Sequence, residues 1–418
     1  MGFDNLAAVQ DNAGQIEFRK EGTMFRKILT PIIGLLFLLL LSQTAFPWTE
    51  ARRLTSTTGD SLNPDVAIEA GINSHNIHLV YSEFSSGNGE IVYRKSTDTG
   101  TIWSSPKRLT WTSGTSDYPS IAVDMENHIH VAWQDNTSGA YQIYYKKSTD
   151  GGSTWTAMKR LSWTEGLSVN PDLLARPVEL SNGSWIVGLH ITWASYVDSN
   201  YEVFHKSGYD WLGTWTDPLT KRVTWNSGSS RLPRIAVDSE SRLHLVWQDS
   251  SPGNNEVYYA RSVNGGISWD KERLTWSDGS SEYPSIATDP ADNLYVAWDD
   301  DKSGNAEIYF KNNDGPSPWS ISRRVTWTEG DSLGPSLIAP TIMQPNVVWH
   351  EYVQADAEIY HKASTDGGNT WPASTRLTWN DGSSYMPVAQ IDYTTQNVHV
   401  FWADNMSGDF EIYYKTKN

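Results

Sequence analysis

At one recurrent place in this 418-residue chain an acidic side chain is followed seven residues later by a glutamate, five times over: Glu83 and Glu90, Asp249 and Glu256, Asp300 and Glu307, Glu351 and Glu358, Asp404 and Glu411. Asp135 with Gln142, and Ser195 with Glu202, are weaker versions of the same spacing. Paired carboxylates can divide acid and base roles in hydrolysis or ligate calcium. Each pair is preceded by an aromatic residue nine positions before the Glu or Gln: Tyr81, Trp133, Trp193, Trp247, Trp298, Trp349 and Trp402.

A second recurrent group is Trp111, Trp163, Trp225, Trp276, Trp327 and Trp379, each just past an Arg-Leu/Val-Thr or Arg-Leu-Ser triplet and opening a Gly/Ser-rich loop. Such indoles could wedge between structural units as core. Exposed beside Asp, Asn or Gln, they could instead stack on the apolar faces of sugar rings while the polar groups take the hydroxyls. Trp111, Trp163, Trp276 and Trp379, with Asp135, Asp249 and Asp404, form the candidate ligand set on that second reading. The recurrent His78, His130, His190, His244 and His399, replaced by Tyr295 and Asn346 elsewhere, vary as a packed position does and not as converging metal ligands. Asp299, Asp300, Asp301 and Asn305 could hold calcium, but their spacing follows no cation-loop pattern, so a solvated acidic loop is expected. No other cofactor is implied.

The elements that must position these groups come from the repeat itself. The Arg triplet starts at Arg53, Arg108, Arg160, Arg222, Arg273, Arg324 and Arg376, at intervals of 55, 52, 62, 51, 51 and 52 residues. Within each interval the apolar pattern has period two, as in Ile121 to Val123, Ile129 to Trp133, Ile143 to Tyr145 and Trp155 to Leu161, with Gly, Asn, Asp and Ser between the runs. Four short strands per unit of about fifty residues, repeated seven times, specify an all-β chain folded as a seven-bladed β-propeller of four-stranded antiparallel blades.

Blades are expected near 62–111, 117–163, 169–225, 231–276, 282–327, 333–379 and 385–418. The last lacks a fourth strand, which residues 50–55 supply by pairing with 411–416, closing the ring and removing an unpaired edge. Blade three departs most: Pro171 to Trp193 is 22 residues against 14 in most blades, and the excess, Arg176 to Gly188, falls at the bottom.

This register also gives the glutamates a structural role. With each turn between strands three and four taken as the hairpin centre, Glu90 faces Arg108, Gln142 faces Arg160, Glu256 faces Arg273, Glu358 faces Arg376 and Glu411 faces Arg53. Opposite charges across a strand pair add a few tenths to about 1 kcal/mol. A cross-strand ladder is the expectation over catalysis.

That turn reads Ser148-Thr149-Asp150-Gly151-Gly152-Ser153-Thr154-Trp155 and again Ser364-Thr365-Asp366-Gly367-Gly368-Asn369-Thr370-Trp371, with drifted copies at Ser96, Ser262 and Asn312. The Asp can accept from turn amides, the glycines take positive φ, and the Trp packs over the turn. Both full copies resemble the Asp-box, or BNR, repeat of sialidase-like propellers. The resemblance covers residues 50–418 and implies the propeller fold, in which these boxes lie at the blade periphery. Sialidases of this family are six-bladed and use an Arg triad, a Tyr/Glu pair and an acidic Asp. Here Arg231-Leu232-Pro233 alone is similar to their first Arg motif, where the other blades carry Leu62, Asp117, Val169, Glu282, Leu333 and Tyr385.

Composition narrows the function classes. The chain has no Cys, a formal net charge of −17, 21 Trp and 19 % charged residues. Disulfides and thiolate chemistry are excluded, and nucleic acid or an anionic membrane is not a partner for a basic face that does not exist. Residues 1–23 form a polar upstream extension. Met24 to Ala45 has the layout of a secretory signal peptide, with a basic start and an apolar run Ile28–Leu41; an uncleaved anchor is the competing reading. Residues 46–418 form the propeller. The expectation is a secreted or cell-surface, non-catalytic glycan-binding or adhesion-type propeller whose partner is a carbohydrate or glycoconjugate. The alternative is a divergent exo-sialidase-like glycoside hydrolase using Arg231.

Overall fold

A computed structural model describes residues 7–10, 16–19, 48–69, 75–179, 185–209, 215, 220–314 and 318–417. The chain divides into two units, Met1–Pro47 and Trp48–Asn418. In the first, Ala7–Gln10 pairs antiparallel with Ile16–Arg19. The expected signal peptide, residues 24–45, lies outside the described residues. No described helix is long and apolar enough to cross a membrane.

The second unit is seven four-stranded antiparallel sheets, six of them in chain order and the last completed by the N-terminal strand Arg52–Arg53. Blade two is typical: Ser116–Val123, Ile129–Asp135, Gln142–Ser148 and Lys159–Arg160. The first strands of neighbouring blades lie against one another in a closed ring round the axis, and the fourth strands are outermost. Loops from strand four to strand one and from strand two to strand three share one face, as the bond from Thr115 N to Asn136 Oδ1 (2.7 Å) shows. We call this the upper face.

The ring closes as the sequence requires. Arg52 pairs with Tyr414 and Arg53 with Tyr413, and Thr49 N bonds to Thr416 O at 2.9 Å. The core consists of apolar clusters that each draw on two blades: Val80, Ile91 and Tyr93 of blade one, for example, pack with Ile121, Val131 and Trp133 of blade two. The strand-two aromatics Trp133, Trp193, Trp247, Trp298, Trp349 and Trp402 are fully buried there.

The lower face explains the Ser-Thr-Asp-Gly-Gly-x-Thr-Trp turns. Asp150 Oδ1 accepts from Thr154 N at 2.8 Å and the Ser148 hydroxyl accepts from Gly152 N at 2.9 Å. Trp155 donates to Gly152 O at 3.2 Å, over its own turn, and also sets its ring edge-on to Tyr93 of the preceding blade at 5.2 Å. The same seam contact recurs as Trp103 on Tyr414, Trp215 on Tyr145, Trp269 on His205, Trp319 on Tyr259 and Trp371 on Phe310. At the last seam Trp48 packs edge-on to His361 at 5.1 Å, so the N-terminal segment supplies a seventh ring as well as a strand.

Beneath these rings lie the repeated histidines. His78, His130, His244 and His399 each bond a strand-three tyrosine hydroxyl through Nδ1 at 2.7 Å, and the first three bond Glu69, Asp124 and Asp238 through Nε2. They are buried packing groups, as their variation implied.

The excess length of blade three is extra strand, not a free loop. Ser168–Glu179 and Trp185–Val197 stay paired as far as Glu179 with Trp185.

Candidate functional site

The paired carboxylates do sit directly opposite each other, Asp249 across from Glu256 and Asp404 across from Glu411, but each member has its own structural task. The acid clamps the loop from strand four to strand one. Asp249 Oδ2 accepts from Ser230 Oγ (2.7 Å), Asn226 Nδ2 (2.6 Å) and Trp247 Nε1 (3.1 Å), while Oδ1 accepts from Ser251 N (2.9 Å). Asp404 takes Ser384 Oγ and Asn380 Nδ2, both at 2.7 Å, and Asp135 takes Ser116 Oγ at 2.5 Å. All three are fully buried. Their oxygens are consumed inside the blade, so these three members of the candidate ligand set support the loop from below and do not reach its surface.

The glutamates pair with arginines, in a register that differs from the expected one. Arg53 stands opposite Tyr413 and Arg108 opposite Val92, so each Arg reaches diagonally back by two residues. Nη2 of Arg53, Arg222, Arg273, Arg324 and Arg376 meets Glu411, Glu202, Glu256, Glu307 and Glu358 at 2.6, 3.0, 2.7, 2.5 and 2.6 Å, and Arg108 meets Glu90 likewise. The hairpin centre falls one residue past the expected place, with Tyr144 opposite Arg160, and the same offset recurs where the turn differs, as at Phe204 opposite Arg222 and Tyr309 opposite Arg324. Gln142 does not meet Arg160: its partners are Ser162 Oγ, Thr164 O and Gly166 O.

The expected solvated acidic loop is also corrected. Asp299 and Asp300 are buried, and Asp300 accepts from Ser277, Ser281 and Lys302. No group of three or more His, Asp or Glu among the described residues is placed to hold a metal ion.

The second group behaves differently. Trp111, Trp163, Trp225, Trp276, Trp327 and Trp379 are 70, 76, 65, 70, 67 and 66 % exposed. They follow the outermost strand, on the upper outer rim, and the wedge between blades is filled by the strand-two tryptophans instead. Each indole is braced by cations. Arg108 lies 5.8 Å from the Trp111 ring centre and Lys146, from the next blade, also 5.8 Å; Arg376 and Lys415 lie 5.9 and 5.4 Å from Trp379. The lysines are fixed in turn by carbonyls across the seam: Lys146 on Leu109 O, Lys311 on Leu274 O, Lys362 on Val325 O and Lys415 on Leu377 O, at 2.5 to 2.7 Å. Burial depresses the pKa of each. Two residues past each indole, Ser113, Glu165, Ser227, Asp278, Glu329 and Asp381 are exposed.

A second concentration lies on the axis, and of it the sequence had offered Arg231 and the column of residues at that position. Before each strand-one proline the backbone turns to positive φ, at Asn63, Tyr118, Asn170, Leu232, Tyr283, Gly334 and Met386, and the ladder slips there. These bulges surround the axial mouth of the upper face, and the residues at them are unlike from blade to blade. Arg231 is exposed and lies 4.0 Å over the Tyr201 ring. Glu282 stands opposite Asp299, whose carboxyl burial and neighbouring acids push up to about 8. His350 lies 5.4 Å from Tyr385, and Tyr352, bonded to Tyr385, is raised to about 12. The signal was the variable residue two before each proline, the column in which Arg231 stands.

Three comparisons bear on this geometry. No family model matches the chain. No curated protein matches it. Solved structures do: a protein of unknown function from Dyadobacter fermentans DSM 18053 is 13 % identical, over 88 % of this chain and 98 % of that one, with a TM-score of 0.57. An ulvan lyase, from a new family of polysaccharide lyases, is 11 % identical over 87 % of this chain and 95 % of its own, with a TM-score of 0.58. The NanB sialidase from Streptococcus pneumoniae is 12 % identical over 87 % and 70 %, with a TM-score of 0.48. At these identities the likeness is one of fold. The fold is a seven-bladed propeller, and what it holds is argued from its own residues.

Proposed function

We propose that the chain is a secreted, non-catalytic glycan-binding propeller of the sialidase-like type, with sugar rings stacked on the rim indoles Trp111, Trp163, Trp276 and Trp379 and on their equivalents Trp225 and Trp327. The observation that carries this reading is the six-fold exposure of one large aromatic position, 65 to 76 % in every copy. An indole gains its packing energy by burial, and the same chain buries its strand-two tryptophans completely. The Arg beside each rim ring, joined by a Lys at Trp111, Trp225, Trp276, Trp327 and Trp379, restricts its rotamers, so little ordering entropy remains to be lost when a pyranose face stacks on it. With Asp135, Asp249 and Asp404 committed to the loop, the hydroxyl partners are the exposed Ser113, Glu165, Ser227, Asp278, Glu329 and Asp381.

Identical weak sites on one rigid ring suit a polymeric ligand, since each further contact is intramolecular. The ulvan lyase of similar fold acts on a polysaccharide, which agrees with this ligand class. A glycan array probed with the full chain should return polysaccharide hits that Trp276→Ala and Trp379→Ala each weaken; an array with no hits above background would remove the reading.

One observation favours the alternative, a glycoside-cleaving propeller of the same type: the axial mouth gathers Arg231, Tyr201, Glu282 and a carboxyl raised into the neutral range, the equipment of acid catalysis. Turnover of a fluorogenic sialoside that Arg231→Ala abolishes would select it.

A further inference from the structure

Of the six arginines beside the rim indoles, five carry a glutamate on Nη2: Arg108, Arg222, Arg273, Arg324 and Arg376. Arg160 is the exception. Its Nε donates to Ser162 O at 2.7 Å, and among the described residues its guanidinium has no carboxylate partner. It is also the closest of the set to its ring, 4.4 Å from the centre of Trp163, which is itself the most exposed of the six at 76 %.

The cause is a pair of linked changes in blade two. In blades one, three, four and five an asparagine two residues before the glutamate donates to two carbonyls of the rim loop. Asn305 Nδ2, for instance, reaches Thr328 O at 3.2 Å and Gly330 O at 2.6 Å. Blade two has Ala140 at that place, and Gln142 Nε2 makes the same two bonds, to Thr164 O at 3.2 Å and Gly166 O at 2.9 Å. The amide that replaces the lost asparagine is the residue that would have neutralised the arginine. The loop is kept at the expense of the ion pair.

We propose that Trp163 and Arg160 form a subsite for an anionic sugar, a pyranose bearing a carboxylate or a sulfate, stacked on the indole with its charge on the guanidinium. The inference rests on the rim-binding reading above and gives one of its six positions a different specificity. Elsewhere on the rim the glutamate already occupies the fork that an anionic group needs, and a second anion there would meet a neutral pair. At Arg160, with Nε on Ser162 O, the two Nη groups are free to donate to two oxygens. Glu165, exposed two residues past the indole, forms no ion pair with Arg160 and is left to the sugar hydroxyls. On a chain of net charge −17 this is a local reversal of sign.

Calorimetry on the full chain tests it with three probes of equal length: a neutral glucan oligomer, an oligouronate and a sulfated galactan oligomer. The two acidic arms separate carboxylate from sulfate as the recognised group. At least one acidic probe should bind about fivefold tighter than the neutral one, the scale of a single exposed ion pair. Arg160→Gln should erase that margin, so that acidic and neutral probes then bind alike. The double variant Ala140→Asn with Gln142→Glu, which rebuilds the pair found in blades one, three, four and five, should erase it too with the indole intact. A margin that survives either variant, or equal binding of all three probes by the wild type, overturns this inference and leaves the rim-binding reading standing. No binding of any probe overturns both.

Discussion

Asp299 takes the place that Gln134 and Gln248 hold in their blades, where a side-chain oxygen accepts the N–H of the positive-φ residue in the next blade. The bonds run to Asn170 N at 3.0 Å, Tyr283 N at 3.1 Å and, for Asp299, Gly334 N at 2.9 Å. An amide does this without charge, whereas the buried carboxyl is held protonated, its pKa raised from 3.8 to about 8 by desolvation first and then by Glu282, Asp300 and Asp301. The folded state therefore keeps a proton that the unfolded chain loses, and the stability this gives is complete below about pH 4 and is lost as pH rises through about 8. Asp299→Asn keeps the bond to Gly334 and removes the titration. Its melting temperature should equal the wild type's near pH 4 and exceed it by about 2 to 5 °C near pH 8.5; a lower value at the alkaline end would mean that an ionised Asp299 is required. Two glycines offer a paired test at the same scale. A Cβ on Gly152, at φ +87°, would lie 2.4 Å from the Tyr93 hydroxyl, whereas one on Gly139, at φ +98°, meets nothing within 4 Å. Gly139→Ala should cost about 1 kcal/mol of backbone strain, and Gly152→Ala about 2 kcal/mol more as the seam is forced apart.

At the scale of the strand, the seams are held by a lysine whose position in the sequence is less fixed than its position in space. Blade four has Ala260 where most blades have Lys on strand three, and Lys271, directly opposite on strand four, reaches the equivalent carbonyl, Val223 O, at 2.6 Å. Lys271→Ala should lower stability by about 1 to 2 kcal/mol, and adding Ala260→Lys should restore it; chemical denaturation of the single and double variants measures both. Strands and turns were readable because the period-two pattern and the Gly-rich turns recur, so each blade corroborates the next. The ladder was readable only in part. Charge pairing between Glu256 and Arg273 followed from alternation, but its diagonal offset depends on where each hairpin is centred, which alternation leaves open by one residue. The burial of Asp135, Asp249 and Asp404 was likewise hidden, because a residue two past a strand-two aromatic looks like loop until Ser116, Ser230 and Ser384 are seen to close over it. The axial row was present in the sequence as the column of unlike residues that contains Arg231, but it was weighed only for likeness to an Arg motif, and its meeting round the axis became visible only in the closed ring.

For the molecule as a whole, closure depends on a short N-terminal segment. Trp48 and Thr49 to Leu54 complete blade seven by the bridge to Lys417, the strand pairs of Arg52 and Arg53, and the ring contact with His361. Trp48→Ala should cost about 3 kcal/mol, the lower part of the range for a packed indole, because its face is only half buried. Opening the ring should also make unfolding less cooperative, which calorimetric and van't Hoff enthalpies would report as unequal. The same rigid ring underlies the functional account, because it holds six exposed indoles at fixed places on one rim. The most direct measurement is the affinity of the full chain for a polysaccharide found on the array, followed as the rim tryptophans are replaced by alanine one, two, three and then all six at a time. Binding through the rim predicts a stepwise loss, each removal weakening the polymer several-fold as avidity falls while the melting temperature stays within about 2 °C of the wild type. Undiminished affinity in the six-fold variant would contradict the account and move the ligand to the axial mouth.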